Sequence, residues 1–167
     1  DVLGQLLADE VISALSHSPE VNVISRLSTS TFQGRDVKLE DVSAYLRADY
    51  VVSGSYHVDG DRVTLKAEMA ETRSMQVIWS QSLKGSVNGV ITGGDPLANH
   101  LVSQACAAMM VRELQQSQGK APQSLQNHTL LLSSIALMHR ISPLAFQRSE
   151  QLLQVLIDRT PRLASPY

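Results

Sequence analysis

Residues 49–84 constrain the fold of this chain more than any other stretch. They contain three segments in which apolar and polar residues alternate, separated by Asp59-Gly60 and by a short polar turn. In the second segment, four apolar residues alternate strictly with polar ones: Val63, Leu65, Ala67 and Met69. Such alternation is typical of a strand with one buried and one wet face, and Asp-Gly is typical of a two-residue hairpin turn. We predict a three-stranded antiparallel meander in which Val77, Trp79 and Leu83 share the apolar face of the third strand.

Segments with helical spacing of apolar residues flank this meander. The spacing predicts helices over 2–16 and 38–47, with Tyr45 facing inward, and a long helix that begins at Asp95-Pro96. A short strand is predicted at 21–26. Because a sheet with one apolar face needs helices to cover it, the predicted fold class is α+β. We expect a mixed sheet that contains the meander, covered by helices on one face and followed by a C-terminal helical hairpin.

The chain is predicted to contain two domains joined by a linker. Residues 1–119 form the α/β domain, and 120–126 form the linker because they follow Gly119 and consist mainly of Pro and polar residues. Residues 127–167 form the helical hairpin, with helices over 127–140 and 144–158. We also expect the chain to be an excised piece of a longer protein.

The composition argues against several classes of function. The net charge is −2 with acids and bases interspersed, whereas a nucleic-acid-binding face needs clustered Lys and Arg. No apolar run approaches the ~18–20 residues that span a bilayer. The single cysteine excludes an intrachain disulfide, and the five histidines lack metal-ligand spacing. Since nucleotide-binding and nucleophile-elbow motifs are also missing, we predict no catalytic residue, no cofactor and no metal.

The best candidate for function is a polar loop that follows the predicted strand at 21–26. Basic residues on both sides of an aromatic one occur there with several hydroxyls, and the candidate residues are Arg26, Ser28, Phe32, Arg35 and Lys38. Such a combination could meet an anionic ligand or a partner surface. The alternative interpretation is a polar loop in which Phe32 packs back into the core.

Several sequence runs occur here in the order found in one bacterial signalling family. The runs are Leu7-Ala-Asp-Glu-Val-Ile-Ser-Ala-Leu15, Val23-Ile-Ser-Arg-Leu-Ser-Thr-Ser-Thr-Phe-Gln-Gly-Arg-Asp36, Ala48-Asp-Tyr-Val-Val-Ser-Gly-Ser-Tyr56 and Val77-Ile-Trp-Ser-Gln81. Together they resemble the TolB-like (FlgO-like) α/β domain. The resemblance implies an accessory domain rather than an enzyme.

The C-terminal runs Leu130–Ser142 and Glu150–Pro161 resemble a tetratricopeptide-like hairpin. Such a hairpin follows the TolB-like domain in rhizobial-type class III adenylate/guanylate cyclase-like proteins. The resemblance implies a non-catalytic regulatory module that binds a protein partner, a ligand or its own cyclase domain, and modulates a cyclase domain outside this chain.

Further expectations concern the assembly, contacts, location and alternative function of this module. A homodimer is one expected assembly, and we expect no contact with nucleic acid or membrane within these residues. A cytoplasmic location is favoured, and a periplasmic one stays open if a transmembrane helix precedes the chain. The alternative function is the sensor module of a bacterial transcriptional regulator, or an envelope structural protein.

Overall fold

The computed structural model describes residues 2–162 and has the predicted α+β fold. The helices are α1 (Val2–Ser16), α2 (Arg26–Thr29), α3 (Leu39–Leu46), α4 (Val87–Thr92), α5 (Leu97–Ser117), α6 (Asn127–Met138) and α7 (Pro143–Arg159). The strands are β1 (Tyr50–Asp59), β2 (Arg62–Glu71) and β3 (Gln76–Ser86). Two 3₁₀ turns cover Ser30–Phe32 and Pro122–Ser124. The described part of the chain thus closes with two helices, α6 and α7, as the sequence predicts.

The three strands form the predicted antiparallel meander in the order β1-β2-β3. The β1–β2 ladder reaches the pair Asp59–Arg62, so the turn is Gly60-Asp61, one residue later than predicted. Gly60 has φ +60°, which suits the first central position of a type II′ hairpin turn. The shift leaves Asp61 outside the ladder, where its carboxylate is available to other elements.

The buried face of the sheet follows the alternation seen in the sequence. All four predicted residues of β2 are buried: Val63, Leu65, Ala67 and Met69. Leu83 of β3 pairs with Leu65 and is also buried. Period-two burial of this kind leaves the other face of the sheet to water.

A β-bulge in β3 corrects the predicted position of Val77. Met69 pairs with Trp79 and Ala70 pairs with Val77, so Ile78 has no partner in β2. One extra residue in a strand reverses the alternation of faces beyond it. Val77 therefore lies on the face opposite to Trp79, and it is 52% exposed.

The predicted strand at 21–26 is also wrong. Val21 donates its N–H to the Ser18 carbonyl at 3.2 Å, in a turn, and α2 already begins at Arg26. A strand needs a neighbour that completes its ladder of hydrogen bonds. Within residues 2–162 the strands β1, β2 and β3 pair only with one another, so the alternating Val21 and Val23 have no ladder to join.

The described residues divide into two compact units between Ala105 and Cys106, within α5. In the first unit α1 packs against α4 and α2, and buried residues of α1, α4 and α5 join the core, among them Leu7, Val90, Leu97 and Leu101. The second unit has a core of Leu114, Leu125, Leu130, Leu137, Ala145, Leu152 and Leu156. The role of residues 120–126 as a domain linker stays a prediction.

Candidate functional site

The predicted interaction loop is partly helical. The Ser25 hydroxyl accepts the N–H of Leu27 at 3.2 Å and caps α2, which continues into the first 3₁₀ turn. The hydroxyls of Thr29 and Ser30 donate to carbonyls of α2, those of Arg26 at 3.3 Å and Leu27 at 3.2 Å. Short hydroxyl side chains often stabilise helix ends in this way. Three of the hydroxyls in this segment therefore have a local structural role.

Two of the five candidate residues contact neighbouring helices. Arg26 Nε lies 2.6 Å from Asp9 Oδ1 of α1. Phe32 meets Tyr45 of α3 edge-to-face, with ring centroids 5.6 Å apart and planes at 81°, which is a favourable aromatic geometry. Phe32 is half-buried, so it stabilises this segment against α3.

The other three candidate residues are exposed: Ser28, Arg35 and Lys38. In the described part of the chain, no hydrogen bond, ion pair or ring contact joins any two of the five side chains. The structure places them along one segment but does not gather them into one site. Their part in binding stays a prediction.

Tyr45 does not face inward as predicted. The half-buried positions of α3 include Leu39, Val42 and Leu46, and at 100° per residue Tyr45 falls at the border of that stripe. Tyr45 is 69% exposed, and Leu27 on α2 is 84% exposed. We call the exposed Leu27 and Tyr45, together with the half-buried Phe32, the α2–α3 surface.

A second exposed surface lies at the turn between α6 and α7. Four large apolar residues occur within nine positions, with exposures of 44% for Met138, 100% for Ile141, 77% for Leu144 and 53% for Phe146. We call these four residues the hairpin end. The sequence does show apolar residues running through the predicted helix–helix turn, but their solvent exposure is not evident until both helices are placed.

Asp95 joins three elements of the first unit. Its Oδ1 accepts the N–H of Leu97 at 2.9 Å, which is the predicted cap of α5, and its Oδ2 accepts the N–H of Ser86 at 2.7 Å. Gly85 and Gly89 leave room for this carboxylate, because a Cβ on Gly85 would lie 2.8 Å from Asp95 Oδ2. This carboxylate is thus a fixed structural element.

Asp61 has a similar role at the start of α4, a helix that the sequence does not predict. Its Oδ2 accepts the Ser86 hydroxyl at 2.7 Å, and its Oδ1 accepts the N–H of Asn88 at 2.8 Å. The hydrogen bond from Ser86 first, and that from Asn88 second, hold the pKa of Asp61 below its ordinary value of 3.8. Because hydrogen bonds to the charged form favour that form, Asp61 is an ionised helix cap.

In the second unit, the fully buried carboxylate of Glu113 ties α5 to α6. The Thr129 hydroxyl donates to Glu113 Oε2 at 2.6 Å, and His128 Nε2 lies 3.4 Å from Oε1. The Ser133 hydroxyl donates to the Glu113 carbonyl at 3.0 Å. Buried polar groups need such partners, and this cluster supplies them across the helix pair.

Residues 2–162 contain no group of three His, Cys, Asp or Glu side chains that could hold a metal ion. In the same range, no helix combines the length and apolar character needed to cross a membrane. The α2–α3 surface and the hairpin end both contain exposed large apolar side chains, and exposed apolar patches are typical of binding surfaces.

The fold and these surfaces define an α+β domain with exposed apolar surfaces and a helical hairpin at its C-terminal end. A family model described as "HilA/YgeH-like transcriptional regulator, second domain" matches residues 1–119. The chain belongs to this family. The match covers most of the chain and all three strands of the meander.

The chain is also similar to a Rhizobium meliloti (strain 1021) protein named "Putative adenylate cyclase 3". The two are 18% identical over 161 residues, which cover 96% of this chain and 27% of the relative. The chain therefore spans about a quarter of the length of the curated relative it matches. Unlike the family match, this similarity extends over the helical hairpin. No solved structure matches the chain.

Proposed function

We propose that this chain is a non-catalytic regulatory module of a bacterial transcriptional regulator, which binds a partner protein and thereby alters an output domain elsewhere in the parent protein. The observation that carries the proposal is the family match, because its description names the second domain of transcriptional regulators. A second domain accompanies at least one other domain, and that other part is the natural place for DNA binding.

The similarity to a protein named for a different activity supports a regulatory role. This chain matches 27% of the length of a protein named as an adenylate cyclase. Similar sequences thus occur in proteins named for transcriptional regulation and for cyclase activity. A regulatory module can serve both, because its role does not depend on the reaction of the domain that it controls. The α2–α3 surface and the hairpin end offer exposed apolar side chains to a partner.

The charges on the α2–α3 segment favour a protein partner over nucleic acid. The exposed cations Arg35 and Lys38 stand close in sequence to the exposed acids Asp36, Glu40 and Asp41. A nucleic-acid phosphate backbone would face both positive and negative side chains there, whereas the nucleic-acid-binding surfaces of proteins concentrate Lys and Arg. We therefore assign DNA contacts to another part of the parent protein.

A second candidate function is regulation of a cyclase domain, and the similarity to the rhizobial protein favours it. If this second candidate is correct, the module is a TolB-like domain, and the hairpin of α6 and α7 begins a tetratricopeptide-like region. Stacked helical repeats form extended surfaces for partners. A change in self-association would be one route to control, and a homodimer would be its assembly.

The two candidates separate in one experiment on the full-length parent protein. Residues 2–162 are deleted in frame in the native gene, and protein abundance is checked by immunoblot. The regulator proposal expects changed transcripts at loci that the parent protein occupies, measured by chromatin immunoprecipitation and RNA sequencing, with cyclic AMP unchanged. The cyclase candidate expects changed cyclic AMP.

The control is a gene with the single exposed substitution Gln147→Ser, which should leave both readouts at the wild-type level. If the deletion changes neither transcripts nor cyclic AMP while the protein remains abundant, the chain is not a regulatory module of either kind.

A further inference from the structure

The hairpin end is an ordered surface. The N–H of Arg140 donates to the Leu137 carbonyl at 2.9 Å, and that of Ser142 donates to the Arg140 carbonyl at 2.7 Å. The N–H of Phe146 donates to the Ser142 carbonyl at 3.1 Å and starts α7. A surface whose backbone is already fixed loses little conformational entropy when it binds.

The exposure of this surface has no explanation inside the second unit. Ala145 is buried, and Leu144 and Phe146 lie on either side of it, directed away from the core of α6 and α7. Single exposed apolar residues are ordinary, but four within nine positions at one end of a helix pair are typical of a binding surface. Covering them would recover hydrophobic free energy that the second unit leaves unused.

The same end of the chain is basic and contains no acid. No Asp or Glu occurs between Glu113 and Glu150, whereas Lys120, Arg140 and Arg148 all lie there. Within residues 2–162, none of these three cations pairs with a carboxylate. Their positive charge is therefore available to a partner.

Arg148 shows why the charge is not neutralised internally. Its guanidinium donates to the Lys120 carbonyl at 2.7 Å and to Gln151 Oε1 at 3.2 Å. Both acceptors are neutral, so they fix the side chain without cancelling its charge. The bond to Lys120 holds the backbone of that residue next to Arg148, which lies four positions after Leu144 on the same side of α7.

Resting on the proposed function, we propose that the hairpin end binds an acidic amphipathic segment of a partner protein. Apolar side chains of that segment would cover Ile141 and Leu144, and its carboxylates would face Arg140, Arg148 and Lys120. Complementary charge of this kind raises specificity and association rate. An anionic membrane suits this surface less well, because membrane-binding clusters usually contain about four to eight Lys or Arg residues, and three are present here.

The test uses the 167-residue chain and two synthetic amphipathic helices with fluorescent labels, one of Leu and Glu and one of Leu and Lys. Fluorescence anisotropy gives both affinities. We expect the acidic peptide to bind at least about tenfold more tightly than the basic one, with the difference shrinking as salt is added. Equal affinities would overturn the proposal.

Variants of exposed residues locate the binding. Ile141→Ser combined with Leu144→Ser should weaken acidic-peptide binding by about tenfold or more, and Arg140→Glu alone by about tenfold. Gln147→Ser and Ile91→Ser are matched exposed controls and should leave it unchanged. All variants should keep the wild-type circular dichroism. Binding that is insensitive to the first two variants would overturn the proposal.

Two other outcomes would also overturn it. In the first, the chain binds phosphatidylserine vesicles and does not prefer the acidic peptide over the basic one. In the second, analytical ultracentrifugation shows a dimer that Ile141→Ser abolishes. Failure of these peptide tests leaves the gene-deletion result untouched, so the choice of partner and the regulatory role can fail separately.

Discussion

Glu71 and Glu113 are fully buried carboxylates, one in each unit, and they find their partners at very different sequence separations. Glu71 bonds within its own turn, to Arg73 Nη2 at 2.9 Å and to the Ser74 hydroxyl at 2.6 Å. Glu113 bonds to another helix, through the Thr129 hydroxyl at 2.6 Å. The first carboxylate fixes a hairpin turn, and the second fixes a helix pair.

The difference shows how each unit compensates a buried charge. A buried carboxylate is costly unless hydrogen bonds or an opposite charge satisfy it. Glu71 gains a cation from the β2–β3 turn itself, a turn that also holds Met75 at φ +56°. Glu113 gains the Thr129 hydrogen bond when α6 packs against α5, so its free energy depends on tertiary structure. Removing single partners tests this contrast.

The largest effect is expected from Arg73→Met, which keeps the aliphatic stem and removes the charge. Breaking a buried ion pair from one side usually costs 3–5 kcal/mol. Because the Arg73 side chain is 29% exposed, we expect the free energy of unfolding to fall by about 3 kcal/mol in urea titrations. Arg73→Lys is the control and should recover much of the loss. Equal stability of the Met variant and the wild type would mean that Glu71 does not need the charge of Arg73.

A smaller loss is expected from Thr129→Val, which removes the hydroxyl donor to Glu113 and preserves the shape of the side chain. Leaving a buried acceptor without this donor should lower the free energy of unfolding by about 2 kcal/mol. Hydrogen exchange should show the loss in the amides of α6 rather than in those of the sheet. Thr129→Ser should remain close to wild type. If the Val and Ser variants are equally stable, the hydrogen bond to Glu113 contributes nothing to the packing of α6.

Local patterns predicted much of the fold. The alternation in β2 and the Asp59-Gly60 pair depend on neighbouring residues alone, and they predicted the meander correctly apart from a one-residue shift of the turn. The cap at Asp95 was predictable for the same reason. The bulge at Ile78 and the absence of a strand at 21–26 depend on which residues pair across the sheet, and a single sequence does not contain that information.

Less of the candidate site could be predicted. The sequence predicts Phe32 as a candidate interaction residue, but its contact with Tyr45 depends on where α3 packs. The exposure of Ile141 and the burial of Glu113 likewise depend on how the helices pack. Composition shows that acids are missing from this region, yet only the structure shows that its cations pair with no carboxylate in the described residues.

Removing the cap at Asp95 extends the comparison to a half-buried carboxylate. Asp95→Ala deletes the acceptor for Leu97 and for Ser86, and loss of an N-cap typically costs about 1 kcal/mol. Asp95→Asn keeps an acceptor and should lose less, as measured by thermal and urea unfolding. A loss larger than that of Thr129→Val would mean that the stability contributed by these carboxylates does not increase with their burial.

The smallest effect is expected at the exposed carboxylate of Asp61, and it should depend on pH. The pKa of Asp61 is lowered in the folded protein from 3.8, first by the Ser86 hydroxyl and then by the Asn88 N–H. A group with a lowered folded-state pKa stabilises the protein above its unfolded pKa, and this stabilisation is lost as the pH falls through the folded value. The stability difference between wild type and Asp61→Asn should therefore be constant near neutral pH and shrink at pH values below 3.8. Asp59→Asn, an exposed carboxyl two positions earlier, is the control. A difference that stays constant through the acid range would show that the hydrogen bonds of Asp61 do not depend on its charge.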